Sequence, residues 1–358
     1  MIVTDAADNI GSTAVRAGFA FDEAKLDEWM RVHVPGYAGP LSVTQFRGGQ
    51  SNPTYRVDTP ARAYVLRRKP PGVLLKGAHA IEREARVLGA LGSVDYPVAH
   101  VHALCADPDV IGTPFYVMDL VEGRVFWDAT FAQVPRAERA AYFDAMNAAI
   151  AGLHAIDPIA VGLADYGRPG DYFARQIARW SGQYHADTEA GRDPDMDRLI
   201  DWLHANVPAG DDDTGIIHGD FRCDNMIFAS TGPGILAVLD WELSTLGHRG
   251  ADFAYHTMMY RMPPHIVAGL GGADVGTLGL PSEQEYVAAY CARRGLPDLP
   301  NYDFYVAFNF FRLAAIFHGI KGRVLRGSAA SAQAQQRVEV LPELMRLAWA
   351  QAEHVDGR

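Results

Sequence analysis

Apolar positions recur along this chain with two different periods, and the change of period divides it. Residues 1–20 show no sustained pattern. Asp22 then opens an amphipathic stretch with Phe21, Leu26, Trp29 and Met30 on one side, ending near Pro35, which predicts a helix. Strand-like runs follow at 41–47, 54–58 and 63–68. The first two are separated by Gly48-Gly49-Gln50-Ser51-Asn52-Pro53, a composition suited to a hairpin connection. A helical run at 78–91 and a β-like run at 114–121, closed by Glu122-Gly123, complete the first third.

Beyond Gly123 the period becomes helical, most clearly at 135–156, 172–184, 195–206, 282–294 and 302–325. Two short β-like stretches around a polar loop are embedded at 215–240. A β-rich front and a helix-rich back predict an α+β, bilobal fold with a cleft between the lobes. The expected division is a small antiparallel-sheet lobe over residues 1–121, its first forty residues an extension and helix, and a mainly helical lobe over 122–358.

Composition adds limits. The 358 residues are 49% hydrophobic and 21% charged, as in an ordinary globular protein. A net charge of −11 counts against nucleic-acid binding by bulk positive charge. Cys105, Cys223 and Cys291 are widely spaced, which disfavours a cysteine zinc site or a disulfide framework. No apolar run approaches the ~20 residues of a membrane span, and the N-terminus lacks the order of a secretion signal. The expectation is a cytoplasmic protein with no membrane or nucleic-acid partner; its oligomeric state stays open.

The chemistry concentrates in Ile216 to Phe228. Here His218, Asp220 and Asn225 sit on a polar loop between apolar flanks, and a second apolar run, 235–239, delivers Asp240. Phosphoryl transfer from Mg-ATP requires such a set: one carboxylate to accept the proton of a substrate hydroxyl, and an amide and a second carboxylate to hold Mg²⁺. Asp220 is the candidate base, with Asn225 and Asp240 the candidate metal ligands. His218 belongs to the candidate catalytic set and reads as a brace of the loop backbone rather than an acid–base group. Singly, His-Gly-Asp could be a turn and Asp240 a helix cap; the ordered set behind a β-rich front favours catalysis.

The HxDxxxxN loop followed by a strand ending in Asp240-Trp241-Glu242 resembles the aminoglycoside phosphotransferase and choline kinase family. The run from Leu239 to His248, with Asp252-Phe253-Ala254-Tyr255, resembles the branch of kinase-like domains fused to acyl-CoA dehydrogenases and their free-standing bacterial relatives. The resemblance covers about residues 40 to 330. It implies a protein-kinase-like fold using ATP and Mg²⁺. It places Gly48, Gly49, Ser51 and Asn52 over the ATP phosphates, where glycines admit close backbone approach. Arg67 stands where the family usually has its strand lysine, a departure from the pattern, with Lys69 the competitor if the register shifts. Glu84 is the expected partner of that cation, leaving Glu82 facing solvent, and the backbone at Asp119 to Val121 is expected to receive adenine. Asp252 is expected to cap the next helix and tie it to the catalytic loop.

The acceptor is expected to be a small-molecule hydroxyl. Asp240-Trp241-Glu242 replaces the Asp-Phe-Gly turn of protein kinases, and no Ala-Pro-Glu follows. Between Arg312 and Arg337 five basic residues (Arg312, Lys321, Arg323, Arg326, Arg337) occur with no acid, suiting an anionic substrate or forming a solvated basic face. The branch resemblance points to a hydroxyacyl-CoA thioester. The alternatives are an aminoglycoside or other amino-alcohol, which Asp211-Asp212-Asp213 could serve, a non-catalytic nucleotide-binding module, and a metallohydrolase using His218, Asp220 and Asp240.

Overall fold

In the computed structural model, residues 11–47, 52–71, 80–168, 170–210, 212–327 and 332–357 are described. The front is one six-stranded sheet of β1 (Ser12–Thr13), β2 (Ser42–Phe46), β3 (Thr54–Asp58), β4 (Ala63–Arg68), β5 (Val101–Cys105) and β6 (Phe115–Asp119). Its order is β1-β2-β3-β4-β6-β5, and every neighbouring pair is antiparallel. The expected strands fall where the alternation placed them. Strand β5 was not foreseen: its Val101, His102, Ala103 and Leu104 are only partly covered at the sheet edge, so no clear alternation marks it.

Two helices use opposite faces of this sheet. Helix α1 (Glu23–His33) starts at Asp22, whose carboxylate accepts from the Ala24 and Lys25 amides, a cap worth about 1 kcal/mol. It buries Leu26 and Met30 against Tyr55, Val57, Leu66, Phe115 and Val117. Each such side chain contributes roughly 1.5–3 kcal/mol by leaving water. Helix α2 (Ile81–Gly92) lies on the other side, and its Ile81, Leu88 and Leu91 join the core that continues through the helical part.

The helical part comprises α3 (Arg139–Ala155), α4 (Tyr172–Ala186), α5 (Pro194–Ala205), α6 (Arg249–Thr257), α7 (Val275–Leu278), α8 (Glu283–Arg294), α9 (Tyr302–Leu325) and α10 (Ala332–Val355). Helix α9 is apolar nearly all round because it runs through the middle, with Tyr305 stacked on Phe173 of α4 and Phe304 and Phe308 meeting that ring edge-on. Two small antiparallel ribbons complete the fold: β7 (Thr214–Ile217) with β10 (Thr245–His248), and β8 (Met226–Phe228) with β9 (Ile235–Val238). The loop from β7 to β8 carries His218, Asp220 and Asn225, and β9 leads into Asp240. Among the described residues, no helix is long and apolar enough to cross a membrane.

Candidate active site

The loop of His218, Asp220 and Asn225 is held by one buried carboxylate. Asp252, in the first turn of α6, accepts from the His218 amide at 2.9 Å and the Gly219 amide at 2.7 Å. His154 Nε2 meets the same carboxylate at 3.2 Å, and its Nδ1 contacts the Tyr290 hydroxyl at 2.7 Å. The tie to the loop is thus present, but the capping half of the expectation is corrected. His248, whose ring accepts from the Ala251 amide, caps α6 instead. Burial works to raise the Asp252 pKa, yet His154 and the loop amides outweigh it and leave the carboxyl below its ordinary value.

Gly219 turns the chain with φ +84°, and a Cβ there would stand 2.9 Å from the Leu243 carbonyl oxygen, so both conformation and space require glycine. His218 is fully buried. Its Nδ1 accepts from the Asp220 amide at 3.2 Å, which leaves Nε2 to donate to the Leu239 carbonyl at 2.8 Å. Both ring nitrogens are therefore committed to backbone, and the ring links the catalytic loop to the strand that delivers Asp240.

Asp220 is surrounded by donors. Tyr255 donates to its Oδ1 at 2.5 Å, Asn225 Nδ2 donates to its Oδ2 at 3.1 Å and to its carbonyl at 2.9 Å, and Arg222 Nε lies 3.2 Å from Oδ1. Burial alone would raise this carboxyl, but the Arg222 charge, the Tyr255 hydrogen bond, His218 and Arg312 hold it below its ordinary value. The side chain keeps 21% of its surface open, enough to meet a substrate. The Asn225 amide nitrogen is fixed on Asp220, so its oxygen faces the other way. Asp240 has φ +63°, a left-handed conformation uncommon outside glycine, and its carboxylate is 36% exposed. Amide and carboxylate oxygens are the donors that Mg²⁺ takes, so this pair fits the ion.

Strand β4 turns Arg67 toward Glu84. Arg67 pairs with Tyr116 of β6 and shares a sheet face with it. Its Nε lies 2.8 Å from Glu84 Oε2, and its Nη2 donates to Asp240 Oδ1 at 2.9 Å. The planar fork thus spans two carboxylates distant in sequence, which a lysine ammonium does not match. Asn52 and Tyr116 also donate to Glu84, at 2.7 and 3.2 Å. Burial dominates at Glu84 and raises its pKa, with Arg67 opposing. Lys69 is occupied by Glu82 at 2.6 Å, so Glu82 is ion-paired at the surface.

Other expected residues are placed as follows. Gly48, Gly49 and Ser51 lie outside the described residues. Asn52 is fully buried, its amide directed at Glu84. The Asp119 carboxylate meets Arg62 and, at 2.6 Å, His102, while its amide donates to the His100 carbonyl. Sequence reasoning missed Arg222, Asp224 and Tyr255. Arg222 bridges Asp220 and Asp224, the latter at 2.9 Å, and its position two residues after the candidate base was the available signal. Burial raises the Asp224 pKa despite Arg222. Nothing in the spacing told that Tyr255, on a helix 35 residues away, would reach Asp220.

Comparison with known proteins agrees with this geometry. The family model described as the phosphotransferase enzyme family matches residues 42–305. The acyl-CoA dehydrogenase family member 10 of Mus musculus is 42% identical over 338 residues, covering 94% of this chain and 31% of that protein. Member 11 of Gallus gallus is 42% identical over 343 residues, 93% of this chain and 44% of its own length, so the chain spans less than half of these curated relatives. A solved structure from Ralstonia eutropha, assigned by name alone to the aminoglycoside phosphotransferases, superposes with a TM-score of 0.87 at 47% identity, covering 94% of this chain and 99% of that one. A spectinomycin phosphotransferase solved with ADP and its drug shares the fold, with a TM-score of 0.60 at 13% identity over 92% of this chain and 98% of that one. The chain belongs to the phosphotransferase enzyme family, whose members are small-molecule kinases.

Proposed function

We propose that the chain transfers the terminal phosphoryl group of ATP to a hydroxyl on a small anionic acceptor of the hydroxyacyl-CoA type. Asp220 orients the acceptor hydroxyl and takes its proton, His218 and Asp252 fix the loop, and Arg67 positions Glu84 and Asp240. Asn225 and Asp240 would hold Mg²⁺, which when bound neutralises phosphate charge. The division near residue 121 then separates a nucleotide-binding front from a helical, acceptor-binding back.

The observation carrying the acceptor class is the gathering of guanidinium groups beside Asp220. Arg312 donates to the Gly219 carbonyl at 2.8 Å and lies over the Tyr255 ring. Arg337, on α10, keeps much of its surface exposed. Its pKa is nonetheless lowered, first by desolvation and then by the nearby charges of Arg222 and Arg323, with Asp220 and Tyr255 opposing. Positive charges that lower one another's basicity favour an anion among them. Two of the five expected basic residues go elsewhere: Arg326 is occupied by Asp187 at 2.7 Å, and Lys321 lies near Arg192 and His318 on another face. The names of the relatives in the acyl-CoA dehydrogenase family support the CoA component.

An aminoglycoside or amino-alcohol acceptor is the second reading, favoured by the name of the Ralstonia eutropha structure. Two members of the acidic run are committed within the fold, however: Asp213 to Arg249 at 2.6 Å and Asp212 to the Thr214 hydroxyl at 2.6 Å; Asp211 lies outside the described residues. The metallohydrolase reading lacks a free His218 nitrogen. The test is incubation with Mg-ATP and a panel of 3- and 4-hydroxyacyl-CoAs, aminoglycosides, choline and homoserine, following phosphate transfer. Transfer to a hydroxyacyl-CoA is expected. Transfer to an amine-bearing member alone overturns the acceptor class, and ATP binding without any transfer favours a binding module.

A further inference from the structure

We infer that the chain has a second anion-binding site, outside the transfer centre, that takes a phosphate-bearing small molecule. It is a cavity of about 390 Å³ between α2 and the helical part, walled by Arg83, Arg168, Tyr172, Arg175, Gln176 and Thr245. That volume lies within the ~300–1,000 Å³ range of organic-ligand pockets, larger than a lone ion needs. None of Asp220, Asn225, Asp240 and Arg67 lines it.

Three features define what it accepts. Arg83, Arg168 and Arg175 line it, Arg175 also donating to the Arg168 carbonyl at 2.7 Å, and the lining carboxylate, Asp165, is already paired with Arg86. Guanidinium groups suit a phosphate or pyrophosphate, with Tyr172 offering a flat wall for an organic remainder. The cavity also receives the start of α4, a 15-residue helix whose first residue is Tyr172. Among the described residues no side chain caps that helix, and its N-cap, Asp171, has φ +48°. Uncapped amides and the positive end of the helix dipole add to the attraction for an anion. Finally, the loop carrying Arg168 is pressed onto β10: a Cβ on Gly167 would stand 2.5 Å from Thr245 Oγ1 and 2.6 Å from the Leu246 nitrogen. The basic wall is therefore built by close backbone approach.

Arg83 gives the site a connection to catalysis. Its guanidinium lies 4.2 Å from the Tyr166 ring centre and donates to the Tyr166 carbonyl at 2.7 Å, joining α2 to the helical part. The next residue on α2 is Glu84, the partner of Arg67. An occupant drawing on Arg83 thus acts on the helix that carries Glu84.

The experiment is calorimetric titration of the chain with inorganic pyrophosphate, comparing wild type with Arg168→Glu, with the Arg168→Glu/Arg175→Glu pair, and with Arg337→Glu. Arg168 is exposed and makes no ion pair among the described residues, so its single variant tests the site with the fold intact; unchanged ATP affinity is the control. The expected result is pyrophosphate binding weakened by about tenfold or more in the Arg168 variants and retained in Arg337→Glu. Equal affinity in wild type and both Arg168 variants, or a loss confined to Arg337→Glu, overturns the site. Competition with coenzyme A identifies the source: displacement of pyrophosphate makes the occupant the acceptor's own tail, and its absence makes it a separate phosphometabolite. Failure here leaves phosphate transfer untouched, and failure of transfer leaves this binding untouched.

Discussion

The Tyr255 hydroxyl donates to Asp220 Oδ1 at 2.5 Å, so the candidate base enters catalysis already hydrogen-bonded by a residue on the following helix. Burial, and then the Asp220 charge, push the Tyr255 pKa well above its ordinary value, which keeps that proton in place at working pH. The donor favours the ionised carboxylate and lowers the Asp220 pKa. Tyr255→Phe should therefore move the acidic limb of the kcat/KM profile to higher pH and lower kcat by roughly tenfold, as expected for one charge-assisted bond. ATP affinity should not change. An unmoved acidic limb would show that Tyr255 only packs.

Asp220→Asn removes the proton acceptor while leaving an isosteric side chain on the same loop. Turnover should fall by roughly 10²–10⁴-fold. The loop is held by Asp252 and His218 rather than by the Asp220 carboxylate, so nucleotide affinity and melting temperature should stay near wild type. Full rate in this variant would sink the assignment of Asp220 as base.

Arg67→Ala leaves Glu84, whose side chain is 3% exposed, without its charge partner. Breaking such a buried pair costs about 3–5 kcal/mol when the remaining group stays charged. Glu84 already has a raised pKa from burial, and losing Arg67 raises it further. The folded variant then holds a proton that the unfolded chain releases, so its stability should fall as pH rises from the ordinary glutamate range through the raised folded value. Urea midpoints at several pH values check the sign; a variant that gains stability with rising pH there contradicts it. Arg67→Lys should keep the charge yet not span Glu84 and Asp240 together, lowering kcat more than stability.

Strands β2, β3, β4 and β6, helices such as α3 and α9, and the loop of His218, Asp220 and Asn225 were legible because each is a local pattern, such as alternation at 54–58 and helical period at 302–325; strands β1 and β5 and helix α10 were not. The choice between Arg67 and Lys69 was open because the two share a strand face, and only tertiary contacts distinguish them: Arg67 meets Glu84, whereas Lys69 meets Glu82. Strand β10, Tyr255 and Arg222 escaped for a related reason. Their roles arise from tertiary contacts with residues distant in sequence or from charges that look alike on paper. The basic run from Arg312 to Arg337 was visible as composition, yet only the fold divides it, sending Arg337 toward Asp220 and Arg326 to Asp187.

His256 is fully enclosed, its Nε2 on the Tyr286 hydroxyl at 2.7 Å and its Nδ1 on the Phe221 carbonyl at 3.1 Å. Burial lowers its pKa to about 4, and burial likewise lowers His154 beneath the catalytic loop. An unfolded histidine titrates near ~6.5. Below that value the unfolded chain binds more protons than the folded one, so stability is fully present above it and is lost as pH falls toward 4. For His256 alone the loss is on the order of 3 kcal/mol across the window. Denaturant midpoints measured between pH 7 and pH 4.5 should fall steadily, and His256→Gln should flatten part of that slope.

Arg337 and Arg326 offer a paired test of acceptor recognition, since they lie on the same basic run with different surroundings. Arg337 feels Arg222, Arg323 and Asp220, whereas Arg326 is spent on Asp187 and Glu189. Arg337→Ala should raise the KM of an anionic acceptor by roughly tenfold with kcat little changed, because the charge binds ground and transition states alike. Arg326→Ala should leave both constants near wild type. The wild-type KM should also rise with added salt, and less so in Arg337→Ala, since screening weakens the attraction that the variant has already lost. Equal KM effects from the two substitutions would mean the acceptor reads the overall charge of the helical part, not the group of arginines beside Asp220.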